Sequence, residues 1–199
     1  MEGLGSRSVT ERADVGHSPP TVLRAQFLSR SSAVSQLKSR GVKPEGRFHL
    51  PMHQWPNFDS NGNLPVGIYR ATLSEVIAHF GTSTLQRRLV AQRLARIYTL
   101  VRSTGQLTRF IIFGSFVTAK REPNDVDIFM LMEDAFDAQQ VESETAIIFD
   151  HVAAQDYDGA SVFWIRRMAA IDGEETAIQY WQNTREQTKR GIVEVIGHD

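Results

Sequence analysis

The sequence contains no cysteine and no long apolar run. The first absence excludes disulfide bonds, thiolate zinc sites and a cysteine nucleophile. The apolar stretches fall short of the ~18 residues that a membrane-spanning helix needs, and residues 1–7 hold no apolar signal-peptide segment. We therefore expect a soluble, cytoplasmic protein with no membrane contact.

The chain also has little net charge, because 22 Lys and Arg against 23 Asp and Glu leave a balance of −1. These charges are unevenly spread. Residues 1–49 carry eight Lys and Arg against four Asp and Glu, whereas the remaining residues carry 14 against 19. An acidic domain suits a cation or a basic partner better than a phosphate backbone, so nucleic acid is a weaker candidate partner.

The composition divides the chain into two parts. Residues 1–47 are rich in Ser, Arg, Gly and Pro, so we predict a flexible, disordered segment with at most a short helix around residues 32–40. Residues 48–199 have the length and apolar content of one domain. His49 and His53 are four residues apart, but a proline between them and the lack of a nearby third ligand argue against a metal site.

Hydrophobic periodicity predicts helices alternating with strands in the domain. Thr72-Leu73-Ser74-Glu75 has the Thr-x-x-Glu form of a capping box and predicts a helix that stops at Gly81. Apolar residues then recur at helical spacing from about Thr84 to Gly105. The other predicted elements are strands at 109–113, 125–131, 161–165 and 192–196 and helices at 138–149 and 174–181. This order favours the α/β or α+β class, with a small mixed β-sheet flanked by helices.

The second predicted helix carries five arginines: Arg87, Arg88, Arg93, Arg96 and Arg102. We expect most of them to form the solvated face of that helix. A nucleic-acid groove is the alternative, which the acidic balance of the domain disfavours.

Phe113-Gly114-Ser115 directly follows an apolar predicted strand. Gly114 permits a sharp backbone turn there and keeps side-chain bulk away from a ligand. Ser115 then begins a short helix, whose free N–H groups and positive dipole end favour phosphate. The serine hydroxyl adds one further hydrogen bond. We therefore predict that Gly114 and Ser115 bind a triphosphate.

Asp125 and Asp127 stand two apart on the next predicted strand, so both side chains point to the same face. Neighbouring carboxylates repel each other unless a cation lies between them, and Mg²⁺ prefers hard oxygen ligands with substrate phosphates completing its shell. The pair is therefore predicted to hold Mg²⁺ and a triphosphate for in-line attack at phosphorus. Lys120 and Arg121, on the connecting loop, are predicted to meet the outer phosphates.

Gly-Ser followed by Asp-x-Asp at this spacing resembles the signature of the DNA polymerase beta-like nucleotidyltransferase superfamily. The run 114–127, Gly-Ser-Phe-Val-Thr-Ala-Lys-Arg-Glu-Pro-Asn-Asp-Val-Asp, is similar to a small bacterial branch of it. Residues 56–68 and 180–193 share that likeness, which covers about residues 55–196. The resemblance implies Mg²⁺ as cofactor and ATP or another nucleoside triphosphate as substrate. Relatives include minimal nucleotidyltransferases that act as antitoxins, some of which transfer AMP to a toxin partner.

One position departs from the superfamily pattern. A third carboxylate usually stands on a later strand, where it helps to hold the metal and to activate the attacking hydroxyl, but here Ser161 occupies that place. Asp156 and Asp158, just upstream in a predicted turn, are candidate substitutes. Without a third acid we expect slower transfer, since general-base help alone is commonly worth ~10²–10⁴-fold.

Three functional hypotheses follow. The first is an enzyme that transfers a nucleoside monophosphate, in the first instance AMP from ATP, to a protein or RNA hydroxyl, with Asp125 and Asp127 as catalytic residues and an antitoxin as one such role. The second is a catalytically degenerate module that binds a nucleotide or a protein partner such as a toxin, which Ser161 favours. The third, nucleic-acid binding through the basic N-terminal segment and the arginine-rich helix, is the weakest.

Overall fold

The computed structural model of the protein describes residues 54–197. Several sequence-based predictions fall outside these residues: the flexible segment 1–47, the domain start at 48, the helix around 32–40 and the His49–His53 pair. Within the described range, no helix has the length and apolar character needed to cross a membrane.

The described chain folds as a five-stranded mixed β-sheet flanked by helices. The strands are β1 (Ile68–Thr72), β2 (Leu107–Phe113), β3 (Val126–Met132), β4 (Ala160–Arg166) and β5 (Ile192–Ile196). Their order in the sheet is β1-β5-β2-β3-β4. β1 runs parallel to β5 and β4 parallel to β3, whereas β2 is antiparallel to both of its neighbours. The predicted α+β class with a mixed sheet is therefore confirmed.

The helices begin and end largely where the capping signals predict. They are α1 (Leu73–Phe80), α2 (Leu85–Ser103), α3 (Ser143–Ile148), α4 (His151–Asp158) and α5 (Glu174–Tyr180). In the capping box, Thr72 Oγ1 accepts from the Glu75 N–H at 3.3 Å, and the Thr72 N–H donates to Glu75 Oε2 at 2.8 Å. The side chain of Thr84 caps α2 in the same way, and Gly105 follows that helix with a φ of 63°.

The predicted single helix over 138–149 is wrong. A short 3-10 turn occupies 138–140, and Ser143, which begins α3, has a φ of 60° that interrupts any continuous helix. The Asp150 side chain then accepts from the N–H groups of Val152 and Ala153 and begins α4. The predicted turn over residues 156–159 is also wrong, because residues 156–158 belong to the last turn of helix α4.

The two faces of the sheet have different cores. On the first face, side chains such as Phe110 and Ile128 pack with Leu94 and Ile97 of α2 in a large apolar cluster. On the second face, a smaller cluster includes Ile111, Phe129 and Leu131 with Ile178 of α5. Because both faces of the central strands are covered, those strands read as nearly continuous apolar runs. The second cluster is smaller, and charged side chains lie beside it on the same face of the sheet.

Candidate functional site

The end of β2 and the beginnings of β3 and β4 meet at one edge of the sheet. Phe113 pairs with Asp127 across the antiparallel β2–β3 ladder, and Asp127 pairs with Ser161 across the parallel β3–β4 ladder. Side chains alternate along a strand, so Asp127 lies on the same face as Phe129, on the second face of the sheet. The same alternation places Ser161 on the face of Phe163.

Gly114 is closely fitted to Asp127. It has a φ of 75°, and a Cβ added to it would stand 1.7 Å from Asp127 Oδ2. Any other residue here would meet both an unfavourable backbone conformation and a clash with the carboxylate. The sequence predicts a glycine that keeps side-chain bulk away from this turn. In the structure, the group that occupies that space is the Asp127 carboxylate.

The chain continues from Gly114 as a single 3-10 turn over Gly114–Val117. The backbone of Ser115 acts on the Asp127 carboxylate and lowers its pKa. The prediction that the N–H groups at the start of this turn bind phosphate stays a prediction. The turn ends where the Ser115 carbonyl accepts from Thr118 Oγ1 at 2.8 Å.

The two predicted metal ligands repel each other in the folded protein. Burial, and then the charge of Asp125, raise the pKa of Asp127 from 3.8 to about 6, whereas Arg190, Arg185 and the Ser115 N–H act to lower it. Within residues 54–197 no three His, Cys, Asp or Glu side chains gather as a metal site. Two carboxylates fit a Mg²⁺ ion that takes its other ligands from water and phosphates, and they do not fit a closed structural metal site.

The candidate substitutes for a third acid lie elsewhere. Asp158, at the end of α4, is buried and forms an ion pair with Arg96 of α2. Asp156 is exposed on the same helix. Ser161 itself donates its hydroxyl hydrogen to Gln155 Oε1 at 3.0 Å. The position beside Asp127 on β4 therefore carries a neutral hydroxyl–amide pair in place of a carboxylate.

The two cations predicted to meet phosphate are exposed on the loop after the 3-10 turn. The side chain of Arg121 lines a cavity of about 450 Å³ together with Phe58 and His79, on the side of the molecule formed by the 54–62 loop and α1. The positive charges that act on Asp127 come instead from Arg185 and Arg190. Sequence reasoning missed these two residues as site residues because they are distant from the carboxylates in sequence and act on them only in the folded chain.

Arg87 holds the 3-10 turn in place from behind. Its guanidinium is buried and donates to four carbonyl oxygens, those of Phe80, Phe116, Thr118 and Lys120, at 2.5–2.9 Å. Arg87 is an exception to the expectation that most arginines of α2 form its solvated face. It is buried because a guanidinium can satisfy several carbonyls that would otherwise lie buried without donors.

The fold and this edge of the sheet define an α+β domain with paired carboxylates packed against a glycine turn. Residues 56–196 match the model of a family of unknown function, DUF6932. Since the match covers more than half of the chain, the protein belongs to this family. Neither the curated proteins nor the solved structures contain a match to the chain.

Proposed function

We propose that the protein binds a magnesium–nucleoside triphosphate complex at the sheet edge formed by Gly114, Ser115, Asp125 and Asp127, and transfers a nucleoside monophosphate to a hydroxyl group. The first expected donor is ATP, with AMP transferred to a protein or RNA acceptor in the cytoplasm. The observation that carries the proposal is the close fit of Gly114 to Asp127. It reserves space for a carboxylate that burial and Asp125 both destabilise. Groups perturbed in this way are typical of functional sites.

The reaction is a substitution at the α-phosphorus. An acceptor oxygen forms a new bond to that phosphorus, the bond to the β-phosphate breaks, and pyrophosphate leaves with the bonding electron pair. When bound, Mg²⁺ neutralises charge on the phosphates. Asp125 and Asp127 would hold it, and the backbone of Ser115 favours the charged form of Asp127. The acceptor proton passes to water, because no carboxylate stands at Ser161.

A second candidate is a nucleotide-binding module without transfer, which pairs with a protein partner such as a toxin. The observation that favours it is the hydrogen bond from Ser161 to Gln155, which occupies the position beside Asp127 with neutral groups. A serine hydroxyl is not a base near neutral pH, so deprotonation of the acceptor lacks help worth ~10²–10⁴-fold. The partner class rests on the superfamily resemblance alone.

A transfer and binding assay separates the two candidates. The full chain is incubated with Mg²⁺ and α-labelled ATP, GTP, CTP or UTP, with total bacterial protein and RNA as acceptors. Asp125→Asn/Asp127→Asn is the site variant, and Glu122→Gln, an exposed carboxylate on the same loop, is the matched control. We expect label on a discrete species with the wild type and the control, and none with the site variant.

Other outcomes assign the protein differently. Magnesium-dependent nucleotide binding without label supports the module, and transfer that appears or rises by about 10²-fold in Ser161→Asp then identifies the missing carboxylate as the cause. No nucleotide binding by the wild type contradicts both candidates.

A further inference from the structure

A short hairpin between α5 and β5 brings two arginines toward the carboxylate pair. Asn183 forms a bridge with Lys189, and the Thr184 N–H donates to the Thr188 carbonyl at 2.8 Å. At the base of the hairpin the Arg190 N–H donates to the Gln182 carbonyl at 2.9 Å. These backbone bonds fix the path of the segment, so the position of Arg190 is set by the fold.

Strand register places Arg190 at the site. Ile112 pairs with Val193 across the antiparallel β2–β5 ladder. Because the ladder is antiparallel, the residues just before β5 approach the end of β2, where the chain leads into Gly114 and Ser115. Ile192, the first residue of β5, packs on the second face of the sheet, which is the face of Asp127, and the charges of Arg190 and Asp127 act on each other.

The residue after Arg190 cannot move away from the sheet. A Cβ at Gly191 would lie 2.4 Å from the Pro65 carbonyl oxygen, and the Gly191 N–H donates to the Leu64 carbonyl at 2.8 Å. The backbone therefore passes through a space that only glycine fits. The arginine immediately before it is held at the sheet edge.

The guanidinium of Arg190 is poorly satisfied within the described part of the chain. Its Nε is buried and has no hydrogen-bond partner there. Burial lowers the pKa of Arg190, and the charges of Asp127 and Glu186 oppose that effect only in part. A buried donor without an acceptor costs free energy that a bound acceptor would recover. The exposed Arg185 adds a second positive charge that acts on Asp127.

We propose that Arg190, assisted by Arg185, binds the outer phosphates of the nucleotide at this site. The inference rests on the proposed function and assigns its anion-binding residues, in place of Lys120 and Arg121. A guanidinium presents a planar set of donors that binds phosphate oxygens in a bidentate manner. The triphosphate lies between Mg²⁺ on the carboxylates and the arginines on the hairpin, and released pyrophosphate keeps the same contacts.

The test measures binding of inorganic tripolyphosphate, Mg–ATP and adenosine to the full chain by calorimetry. We expect Arg190→Ala to weaken tripolyphosphate and Mg–ATP binding by about 10- to 100-fold, the worth of a charged hydrogen-bonded pair, without changing adenosine binding. Arg190→Lys keeps the charge but loses the bidentate geometry, so it has an intermediate effect. Arg185→Ala has a smaller effect because Arg185 is exposed.

Lys189→Ala is the matched control, since it removes one positive charge from the same exposed hairpin. If Arg190→Ala fails to fold, Arg190→Lys and Arg185→Ala carry the test. Phosphate binding by Arg190→Lys and Arg185→Ala equal to that of Lys189→Ala overturns the inference, as does a loss found in Lys120→Ala or Arg121→Ala instead. Wild-type protein that binds no Mg–ATP, or binds it equally well after Asp125→Asn/Asp127→Asn, shows instead that the proposed function itself is wrong.

Discussion

Two carboxylates on the same face of the sheet have opposite surroundings. Glu194, on β5, accepts hydrogen bonds from Arg109 and from Arg70, the latter at 2.9 Å. Burial acts to raise the pKa of Glu194, but these hydrogen bonds outweigh it and hold the pKa below its ordinary value. Asp127, on β3, has Asp125 for a neighbour, and burial with that charge raises its pKa to about 6.

The difference separates a carboxylate that the protein itself satisfies from one that it places beside a like charge. At Glu194 the protein supplies its own counter-charges, so the carboxylate is satisfied without any ligand. At Asp127 the nearest groups supply a second negative charge and only partial compensation from arginines. The free energy that this arrangement costs near neutral pH would be recovered by a proton or by a bound cation. Burial alone would not single out Asp127, because Glu194 has the smaller exposed fraction of the two, whereas their partners do distinguish them.

The largest expected effect comes from removing the charge of Glu194, the carboxylate that is paired with arginines. Glu194→Gln leaves Arg109, whose side chain is 13% exposed, without its buried counter-charge, and we expect a loss of about 3 kcal/mol in the free energy of unfolding. Urea denaturation followed by circular dichroism measures it. The control is Glu175→Gln, because Glu175 also pairs with Arg109 but is 57% exposed, and its loss is expected to stay below about 1 kcal/mol. Equal losses in both variants contradict a structural role specific to Glu194.

The second expected effect is a gain in stability, and it comes from removing the charge of Asp127. The folded pKa of Asp127, about 6, lies above its ordinary 3.8, so wild-type stability falls as pH rises through that range. Asp127→Asn removes the penalty and is expected to be more stable than wild type at pH 8 by about 1–3 kcal/mol, with the gap closing below pH 4. Metal-free urea denaturation at the two pH values measures the gap.

Asp137 provides the control for the direction of this stability change. Hydrogen bonds from the Gln139 N–H and the Gln140 side chain hold the pKa of this exposed carboxylate below its ordinary value. Asp137→Asn is therefore expected to lose stability at pH 8, where Asp127→Asn gains it. An Asp127→Asn protein no more stable than wild type at pH 8 would mean that the arginines already compensate the charge fully.

The smallest expected effect comes from removing Arg70, the more exposed of the two arginines that pair with Glu194. Arg70 is 61% exposed although it contacts the buried Glu194, and Arg109 keeps its own hydrogen bonds to that carboxylate when Arg70 is removed. We therefore expect Arg70→Ala to cost less than about 1 kcal/mol, as exposed ion pairs do. Thermal unfolding measures it. A cost as large as that of Glu194→Gln would show that Arg109 alone does not satisfy the carboxylate.

Elements with a local signal were predictable from the sequence. The capping box at Thr72 and the strand that precedes Gly114 each follow from a few adjacent residues. Asp125 lies just before β3 and not on it, so its shared face with Asp127 stays a prediction. Strand β1 was not predicted, because its residues mix polar with apolar side chains and it is completed by β5, which is 124 residues away at Arg70 and Glu194.

The same limit applies to the candidate site. The antiparallel pairing of β5 with β2 brings the residues just before β5, including Arg190, toward the carboxylates. The sequence around residue 190 carries no local signal of this. The interruption near Ser143 depends on one residue with a positive φ, which the helical pattern of apolar residues does not reveal. Arg87 looked like its exposed neighbours on α2, because its acceptors belong to a turn that is distant in sequence.

Arg87 also determines how the site meets a ligand. One side chain ties the end of α1 and the start of α2 to the segment 116–120, so this segment cannot open without exposing a buried cation. Its amide hydrogens are therefore expected to exchange with solvent at rates governed by unfolding of the core. Under the proposed function, a nucleotide would meet a turn that is already ordered, so binding would cost little conformational entropy there.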